Sequence, residues 1–212
     1  MNLPVIILGA GGHAKVLIDT LLLTAVEIAG IVDPNREKHG TSILGIPVIG
    51  NDDAVLKQGP GAVMLVNGVG SVKQPKLRKQ LFDTFKARGF TFVSVLHPSA
   101  VIAPDVHLAE GVQVMAGAVI QPGSRIGANT IVNTNASVDH DCSIADHVHV
   151  APGATLSGNV TLEDGVHIGA GATLLQGIRI GRNSIIGAGS VVLRDVPDGV
   201  TICGVPGKVV TK

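Results

Sequence analysis

Aromatic residues and cysteines are scarce in this 212-residue chain, which contains no tryptophan, no tyrosine, four phenylalanines and two cysteines. Cys142 and Cys203 are too few for a disulfide framework, which favours a reducing cytoplasm. Lysine plus arginine equals aspartate plus glutamate, 16 against 16, and no long basic run occurs, which argues against nucleic acid or an acidic membrane surface as a partner. No apolar run approaches the roughly 18 residues of a membrane helix, so no membrane span is expected.

What the chain does contain is an aliphatic repeat between residues 102 and 197. Every sixth position carries isoleucine, leucine or valine, without a break, at sixteen positions: Ile102, Leu108, Val114, Ile120, Ile126, Val132, Val138, Ile144, Val150, Leu156, Leu162, Ile168, Leu174, Ile180, Ile186 and Val192. A period of six fits neither an amphipathic helix nor an alternating strand. It is typical of a parallel β-helix of hexapeptide repeats, in which each repeat buries its apolar edge against its neighbours. Three hexapeptides form one triangular coil of about 18 residues, so the repeat predicts about five coils.

Residues 1–96 carry a different pattern, of strands, glycine turns and helices. Val5–Leu8 predicts a strand, followed by the glycine-rich turn Gly9–His13 and a helix over 14–23. Free N–H groups at such a helix N-terminus favour a phosphate. A second strand, Ile28–Val32, ends in Asp33, 24 residues after Gly9, where dinucleotide-binding folds place a carboxylate on the ribose. The pattern therefore favours a nucleotide, although the same turn is also common in α/β proteins that bind none.

The remaining elements of this region complete a small Rossmann-like α/β unit. They are an edge strand within 43–49, a strand over 62–66 with a glycine turn at 67–71, a helix over 74–88 and a last strand over 90–96. With about 95 residues, the unit is too short for a two-halved dinucleotide fold but long enough for one mononucleotide. We therefore expect two domains: a nucleotide-binding domain at 1–96 and the β-helix with a C-terminal tail at 97–212.

One hexapeptide places ionisable side chains on the outside of the predicted β-helix. His140 can act as a general base near neutral pH, and the adjacent Asp141 can fix its tautomer and raise its basicity. Residues 18 apart stack about 4.8 Å apart, which places Gly158 beside His140. Its N–H would stabilise an oxyanion if that amide is not already hydrogen-bonded in the ladder between coils. Cys142 faces the core by phase and is not expected to be a nucleophile. The alternative interpretation is an exposed turn histidine with no role in catalysis.

A stripe of small residues also stacks along the predicted coils, at Pro152, Ala170 and Ala188. It predicts either a shallow groove for a long, thin ligand or a close-packed contact between subunits. His149 and His167 stack in the same way.

A metal site is not expected from the histidine and cysteine residues of this region. Cys142 points inward whereas His140 points outward, and His147 and His149 lie on a different side of the coil. Zinc needs ligands that converge on one point, which this phase does not provide.

Five motifs spread over nearly the whole chain support a more specific interpretation. They are Gly9-x-Gly-Gly-His13-Ala-Lys-Val, His97-Pro-Ser-Ala, Asn133-Thr, Asp139-His140-Asp141-Cys142 and Gly204-Val-Pro-Gly-Lys208. Together they resemble the NeuD/PglD-type sugar acyltransferases, hexapeptide-repeat enzymes of bacterial surface-glycan biosynthesis. The resemblance implies a left-handed β-helix and a cytoplasmic homotrimer, with the coenzyme lying between two β-helices.

The resemblance also implies an activity. The enzyme would be an N-acetyltransferase that moves acetyl from acetyl-CoA, its cosubstrate, to the C4 amino group of a nucleotide-linked amino-deoxysugar by direct attack. The catalytic residues would be His140 as base, Asp141 as its partner and Gly158 as backbone donor. Acetyl-CoA would contact His149, Ala170 and Ala188. The sugar nucleotide would contact Gly11, Gly12, His13, Asp33 and Gly70.

Two features depart from the family pattern. Position 141 carries aspartate where some relatives have the longer glutamate, and the segment 67–73 differs from the shorter turn of some relatives, which leaves the base and the sugar open. Four alternatives remain: a sialic-acid-type sugar O-acetyltransferase, a non-catalytic sugar-nucleotide-binding protein, an acetyltransferase for a free hydroxyl or a small amino acid, and a dinucleotide oxidoreductase. The oxidoreductase is disfavoured by the small size of the first domain.

Overall fold

The computed structural model describes residues 3–71 and 75–210, with Pro75 described by its backbone alone, and the chain forms two compact units, Met1–Val95 and Leu96–Lys212. Predictions that fall on residues 72–74, the end of the unusual segment and the first residue of the predicted helix, lie outside the described residues. No helix in the described part of the chain is long and apolar enough to cross a membrane.

The first unit is a five-stranded sheet with three helices, and its strands lie in the order β3-β4-β2-β1-β5. Only the β3–β4 pair is antiparallel. In chain order the elements are β1 (Val5–Leu8), α1 (Gly12–Leu22), β2 (Ile28–Val32), a 3₁₀ turn (Arg36–Lys38), β3 (Ser42–Ile43), β4 (Ile46–Gly50), α2 (Asp52–Gln58), β5 (Met64–Asn67) and α3 (Pro75–Ala87). The parallel strands β1, β2, β4 and β5 therefore end at one edge of the sheet, where ligands of open α/β sheets bind.

The first unit contains all four phenylalanines, and each is buried. Phe82 packs on Phe92 with ring centroids 4.5 Å apart, and Phe85 meets Phe90 edge-on at 5.5 Å. Aromatic pairs of this kind add to the free energy of burial. The phenylalanines are confined to the first unit because the narrow interior of the β-helix has no room for aromatic rings.

Two sequence predictions for this unit need correction, and one element was missed. The predicted edge strand is a hairpin, β3 and β4, which turns at Leu44 (φ 50°) and Gly45 (φ 83°). The predicted strand over 90–96 is reduced to a single bridge from Phe92 to Leu65 and the short strand Val95–Leu96, because a strand extends only where a neighbour continues the ladder. The helix α2 was not predicted.

The second unit is a parallel β-helix whose strands are mostly two residues long. The strands are β6 (Val95–Leu96), β7 (Val101–Ile102), β8 (His107–Leu108), β9 (Gln113–Val114), β10 (Val119–Ile120), β11 (Arg125–Ile126), β12 (Ile131–Val132), β13 (Ser137–Val138), β14 (Ser143–Ile144), β15 (His149–Val150), β16 (Thr155–Leu156), β17 (Thr161–Leu162), β18 (His167–Ile168), β19 (Thr173–Leu174), β20 (Arg179–Ile180), β21 (Ile185–Ile186), β22 (Val191–Val192), β23 (Thr201–Cys203) and β24 (Lys208–Val209). They form three sheets, containing β7, β10, β13, β16, β19 and β22; β8, β11, β14, β17 and β20; and β6, β9, β12, β15, β18, β21, β23 and β24.

The pairing of the strands confirms the predicted coil of about 18 residues. Each strand from β7 to β19 pairs in parallel with the strand 18 residues on, as Val138 does with Leu156 and Ile144 with Leu162. At the C-terminal end the spacing shortens to 16 between β21 and β23, and β24 pairs antiparallel with β23. The aliphatic positions are buried from Val114 onward, whereas Ile102 and Leu108 are only partly buried. The first coil is less covered because it has a neighbouring coil on one side only.

Candidate active site

His140 lies in the turn after β13, and its ring is half exposed. Its Nδ1 is 2.9 Å from Oδ2 of Asp141, and its backbone N–H donates to Oδ1 of Asp139 at 2.8 Å. Asp141 adopts a left-handed conformation (φ 58°), a backbone turn that accompanies this contact. The hydrogen bond with Asp141 raises the pKa of His140, as do the charges of Asp139 and Asp141, against a smaller effect of desolvation. With the Nδ1 proton held by Asp141, Nε2 keeps a lone pair that can accept a proton.

Gly158 lies directly against this imidazole ring, one coil further along. A Cβ at position 158 would stand 2.5 Å from both Cε1 and Nε2 of His140, so only glycine permits the observed contact. The carbonyl of Gly158 accepts a hydrogen bond from the N–H of Gly177 at 3.0 Å, but its own N–H has no acceptor among the described residues. An unpaired amide beside a basic ring nitrogen is the arrangement that an oxyanion requires.

His149 and His167 form a second pair of stacked rings, on adjacent strands β15 and β18. Their centroids are 5.0 Å apart in an edge-on arrangement, and Nε2 of the buried His149 is 3.1 Å from Nδ2 of Asn133. Burial lowers the pKa of His167, whose Nδ1 is buried without a hydrogen-bond partner in the described part of the chain. Burial therefore favours the neutral form of the His167 ring.

The predicted stripe of small residues stacks as expected and is exposed. The N–H of Gly171 donates to the carbonyl of Pro152, and that of Gly189 to the carbonyl of Ala170, so the turns at Pro152, Ala170 and Ala188 lie one above another. This stripe follows the sheet that contains β15 and β18, whereas the turn of His140 follows the sheet that contains β13. A single chain therefore does not bring the stripe and His140 to the same edge of the coil.

The first unit contains a cleft of about 740 Å³ at the carboxyl edge of its sheet. All five residues that the resemblance assigned to the sugar nucleotide line it: Gly11, Gly12, His13, Asp33 and Gly70. No side chain caps the N-terminus of α1, and a Cβ at Gly11 or Gly12 would meet nothing within 4 Å. The backbone at this helix end is consequently accessible to a phosphate.

Comparison with known proteins places the chain in a family. Residues 4–85 match the family described as the PglD N-terminal domain, and residues 123–158 and 159–194 match the bacterial transferase hexapeptide family. A histidine-to-asparagine variant of perosamine N-acetyltransferase from Caulobacter crescentus, in complex with CoA and GDP-perosamine, is 40% identical, with 99% of this chain and 97% of that chain covered and a TM-score of 0.91. The chain belongs to the NeuD/PglD-type sugar acyltransferases. The acetyltransferase domain of PglB from Neisseria gonorrhoeae FA1090, in complex with acetyl coenzyme A, is 36% identical (coverage 99% and 100%, TM-score 0.91).

A more distant structure extends the same similarity. WeeI from Acinetobacter baumannii AYE is 26% identical over 99% of this chain and 100% of that chain, with a TM-score of 0.86. Membership of the NeuD/PglD-type family confirms the predicted enzyme class, an acyltransferase. It also confirms the predicted fold class, a Rossmann-like α/β unit followed by a left-handed parallel β-helix.

Cys142 faces the interior of this family's β-helix, as predicted. It is 1% exposed, its Sγ donates to the carbonyl of Ser157 at 3.3 Å, and burial raises the pKa of its thiol. A buried, protonated thiol is a poor nucleophile. Among the described residues, no group of three or more histidine, cysteine, aspartate or glutamate side chains converges to hold a metal ion.

Asp33 is more tightly bound within the protein than the sequence suggested. Its Oδ2 accepts hydrogen bonds from the N–H of Ala10 at 2.7 Å and from Nζ of Lys38 at 2.9 Å, and its Oδ1 accepts from the N–H of Asn35 at 2.9 Å. Burial alone would raise the pKa of Asp33, but these hydrogen bonds and the charge of Lys38 outweigh it and lower the pKa. Three of about four acceptor positions of the carboxylate are thus occupied, and any contact with a ribose would use the remaining one.

Sequence reasoning missed two cations that shape the cleft. Lys38 lines it, bonded to Asp33 and, at 3.1 Å, to the carbonyl of Ala10. Arg78 is buried, which lowers its pKa to about 9, and its Nη1 donates to the carbonyls of Asn67 at 2.9 Å and Val69 at 2.7 Å. Arg78 thereby holds the loop that carries Gly70. A single buried cation in a helix that also carries exposed lysines leaves no recognisable signal in the sequence.

Proposed function

We propose that this protein transfers the acetyl group of acetyl-CoA to the amino group, at C4, of a nucleotide-linked amino-deoxysugar used in bacterial surface-glycan biosynthesis. The single observation that carries the chemistry is the packing of the imidazole of His140, paired with Asp141, against Gly158, whose N–H has no acceptor among the described residues. Solved relatives that hold CoA with GDP-perosamine, or acetyl coenzyme A alone, support this acceptor and this donor.

In the proposed reaction the neutral amine attacks the thioester carbonyl directly, without an acyl-enzyme. As the C–N bond forms, Nε2 of His140 takes a proton from the nitrogen, and Asp141 stabilises the imidazolium. The N–H of Gly158 donates to the tetrahedral oxyanion. The C–S bond then breaks, the imidazolium returns its proton to the CoA sulfur, and an amide and free CoA result.

The acetyl-CoA groove would be formed by His149, Ala170 and Ala188, which supports a role for a second copy of the chain. Because the stripe and His140 follow different sheets of one β-helix, a coenzyme lying along the stripe would reach the His140 of a neighbouring copy. Around a three-fold axis, each copy contacts the next in the same way and the third contacts the first. We therefore expect a homotrimer. Light scattering in solution would report a mass three times that of the 21.6 kDa chain.

Replacing His140 with alanine tests this function. We expect kcat to fall by about 10²–10⁴, the usual contribution of a general base, with an unchanged trimer and melting temperature because the ring is half exposed. Release of CoA thiol from acetyl-CoA and a panel of nucleotide amino sugars provides the assay. His107→Ala is the matched control, since His107 is exposed on β8 of another sheet.

The product distinguishes the N-acetyltransferase from the sialic-acid-type O-acetyltransferase. An amide resists hydroxylamine at alkaline pH, whereas an ester is cleaved. A product that loses acetyl under these conditions would place the activity in the alternative class. An unchanged kcat for His140→Ala would remove this histidine from the mechanism.

A further inference from the structure

The nucleotide cleft of the first unit has two walls of different chemistry. On the side of β5 it is lined by Gly68, Val69, Leu77 and Leu81, which offer apolar side chains or none. On the side of β2 and β4 it is lined by charged residues: Asp33, Lys38 and Asp52. A nucleoside carries ribose hydroxyls and a hydrogen-bonding base edge, so it fits the charged side. With phosphates at the N-terminus of α1, the base would lie toward the end of β4.

The two carboxylates on that side differ in what they can still bind. Asp33 already accepts three hydrogen bonds from within the protein. The carboxylate of Asp52 accepts no hydrogen bond among the described residues. Desolvation raises the pKa of the Asp52 carboxyl, as does the charge of Asp53, while the charge of Arg88 lowers it. Asp52 is exposed and lines the cleft, so both of its carboxylate oxygens are open to donors of a bound base.

From this geometry we infer that Asp52 selects guanine, by accepting hydrogen bonds from the N1–H and the exocyclic amino group of its Watson–Crick edge. The inference rests on the proposed function, because it needs a nucleotide in this cleft. Guanine presents two adjacent donors, which match the two oxygens of one carboxylate in a bidentate pair. Uracil offers a single N–H between two carbonyl acceptors, and adenine and cytosine place a ring acceptor beside their amino group. Each of these three would set an acceptor against the charge of Asp52.

The neighbouring residue Asp53 provides a matched control. Asp52 and Asp53 both stand in the first turn of α2, so either substitution to asparagine removes one negative charge from the same helix end. Asp53 does not line the cleft, and its carboxylate accepts from Nδ2 of Asn51 at 3.1 Å, a contact that an asparagine oxygen can keep. A loss common to both variants would therefore report on the helix and not on the base.

Titration calorimetry with GDP, IDP and UDP on the full-length protein tests the inference. IDP lacks only the exocyclic amino group of guanine, so the wild type should bind GDP about tenfold more tightly than IDP, the effect of one charge-assisted hydrogen bond. Asp52→Asn should lower the affinity for GDP by about ten- to a hundredfold. The ratio of the affinities for GDP and IDP should then be close to one. Asp53→Asn should keep both the affinity and the ratio.

The outcomes separate this inference from the function on which it rests. An unchanged GDP-to-IDP ratio in Asp52→Asn, or a wild type that prefers UDP, would overturn the role of Asp52 while leaving a nucleotide acceptor in place. If the wild type bound none of the three diphosphates, the cleft would not be a site for a guanine or uracil nucleotide, and the inference would be overturned; CoA release with the panel of nucleotide amino sugars would still test the proposed function.

Discussion

Replacing Gly158 with alanine should displace the side chain of His140, the candidate catalytic base, while leaving residue 140 itself unchanged. The new Cβ would lie 2.5 Å from Cε1 and Nε2 of His140, whereas carbon atoms pack at about 3.5 Å, so the ring must move by about 1 Å. A displacement of about 1 Å in a reacting group costs on the order of 10²-fold in rate. We therefore expect kcat of Gly158→Ala to fall about 10²-fold, within the range expected for loss of the base.

Stability should change little in the same variant. The ring of His140 is half exposed and can turn into solvent, and the backbone of Gly158 is not in the left-handed region. The matching position one coil on is Gln176, so the turn itself accepts a side chain. The free energy of unfolding should stay within about 0.5 kcal/mol of the wild type.

The assay measures release of CoA thiol at saturating substrate concentrations. It compares Gly158→Ala, His140→Ala and the variant that combines them, with Gln176→Ala as the control. In the background without the ring, alanine at 158 enters empty space and should lower kcat by less than about twofold. Full activity of Gly158→Ala would refute the reasoning. Multiplicative losses in the double variant would show that Gly158 acts independently of the ring.

Two further predictions concern carboxylates. Asp141→Asn removes the partner whose hydrogen bond raises the pKa of His140. The pH below which kcat/KM falls, because the base is protonated, should therefore move lower, and kcat should decrease. A pH profile of kcat/KM whose acidic limb does not move would contradict this role of Asp141. Asp33→Asn removes the charge that binds Lys38 and should lower the free energy of unfolding by about 1–3 kcal/mol at pH 7. Because the folded-state pKa of Asp33 is lowered, this difference should narrow as pH falls below about 4, which denaturant titrations at several pH values would measure.

The β-helix could be predicted almost completely from the sequence. Each aliphatic residue at the six-residue spacing has one environment available to it, the interior shared with the coils above and below, so the period alone determines the register. Stacking of Gly158 on His140 followed from the 18-residue coil. That the Gly158 N–H has no acceptor among the described residues did not follow, because it depends on which turn N–H groups find an acceptor in the folded chain.

The first unit was predicted less completely. The strands Val5–Leu8 and Ile28–Val32 were predicted with their observed bounds, since each is a short, mainly aliphatic run that ends at a turn, at Gly9 and at Asp33-Pro34. The seven-residue helix α2 was missed because a helix of that length is unstable alone and forms through tertiary packing. The role of Asp52 could not be considered until this helix placed it in the cleft.

The sequence by itself determined the architecture and the identity of the candidate base, because both follow from a strict period and from motifs read in order. The tertiary structure alone decided which polar groups are already satisfied within the chain. Asp33 accepts hydrogen bonds from Ala10 and Lys38, whereas Asp52 accepts none from the described residues, although both are aspartates that follow a strand. Hydrogen bonds between residues far apart in the chain depend on distances of a few ångströms, which spacing in a sequence does not specify.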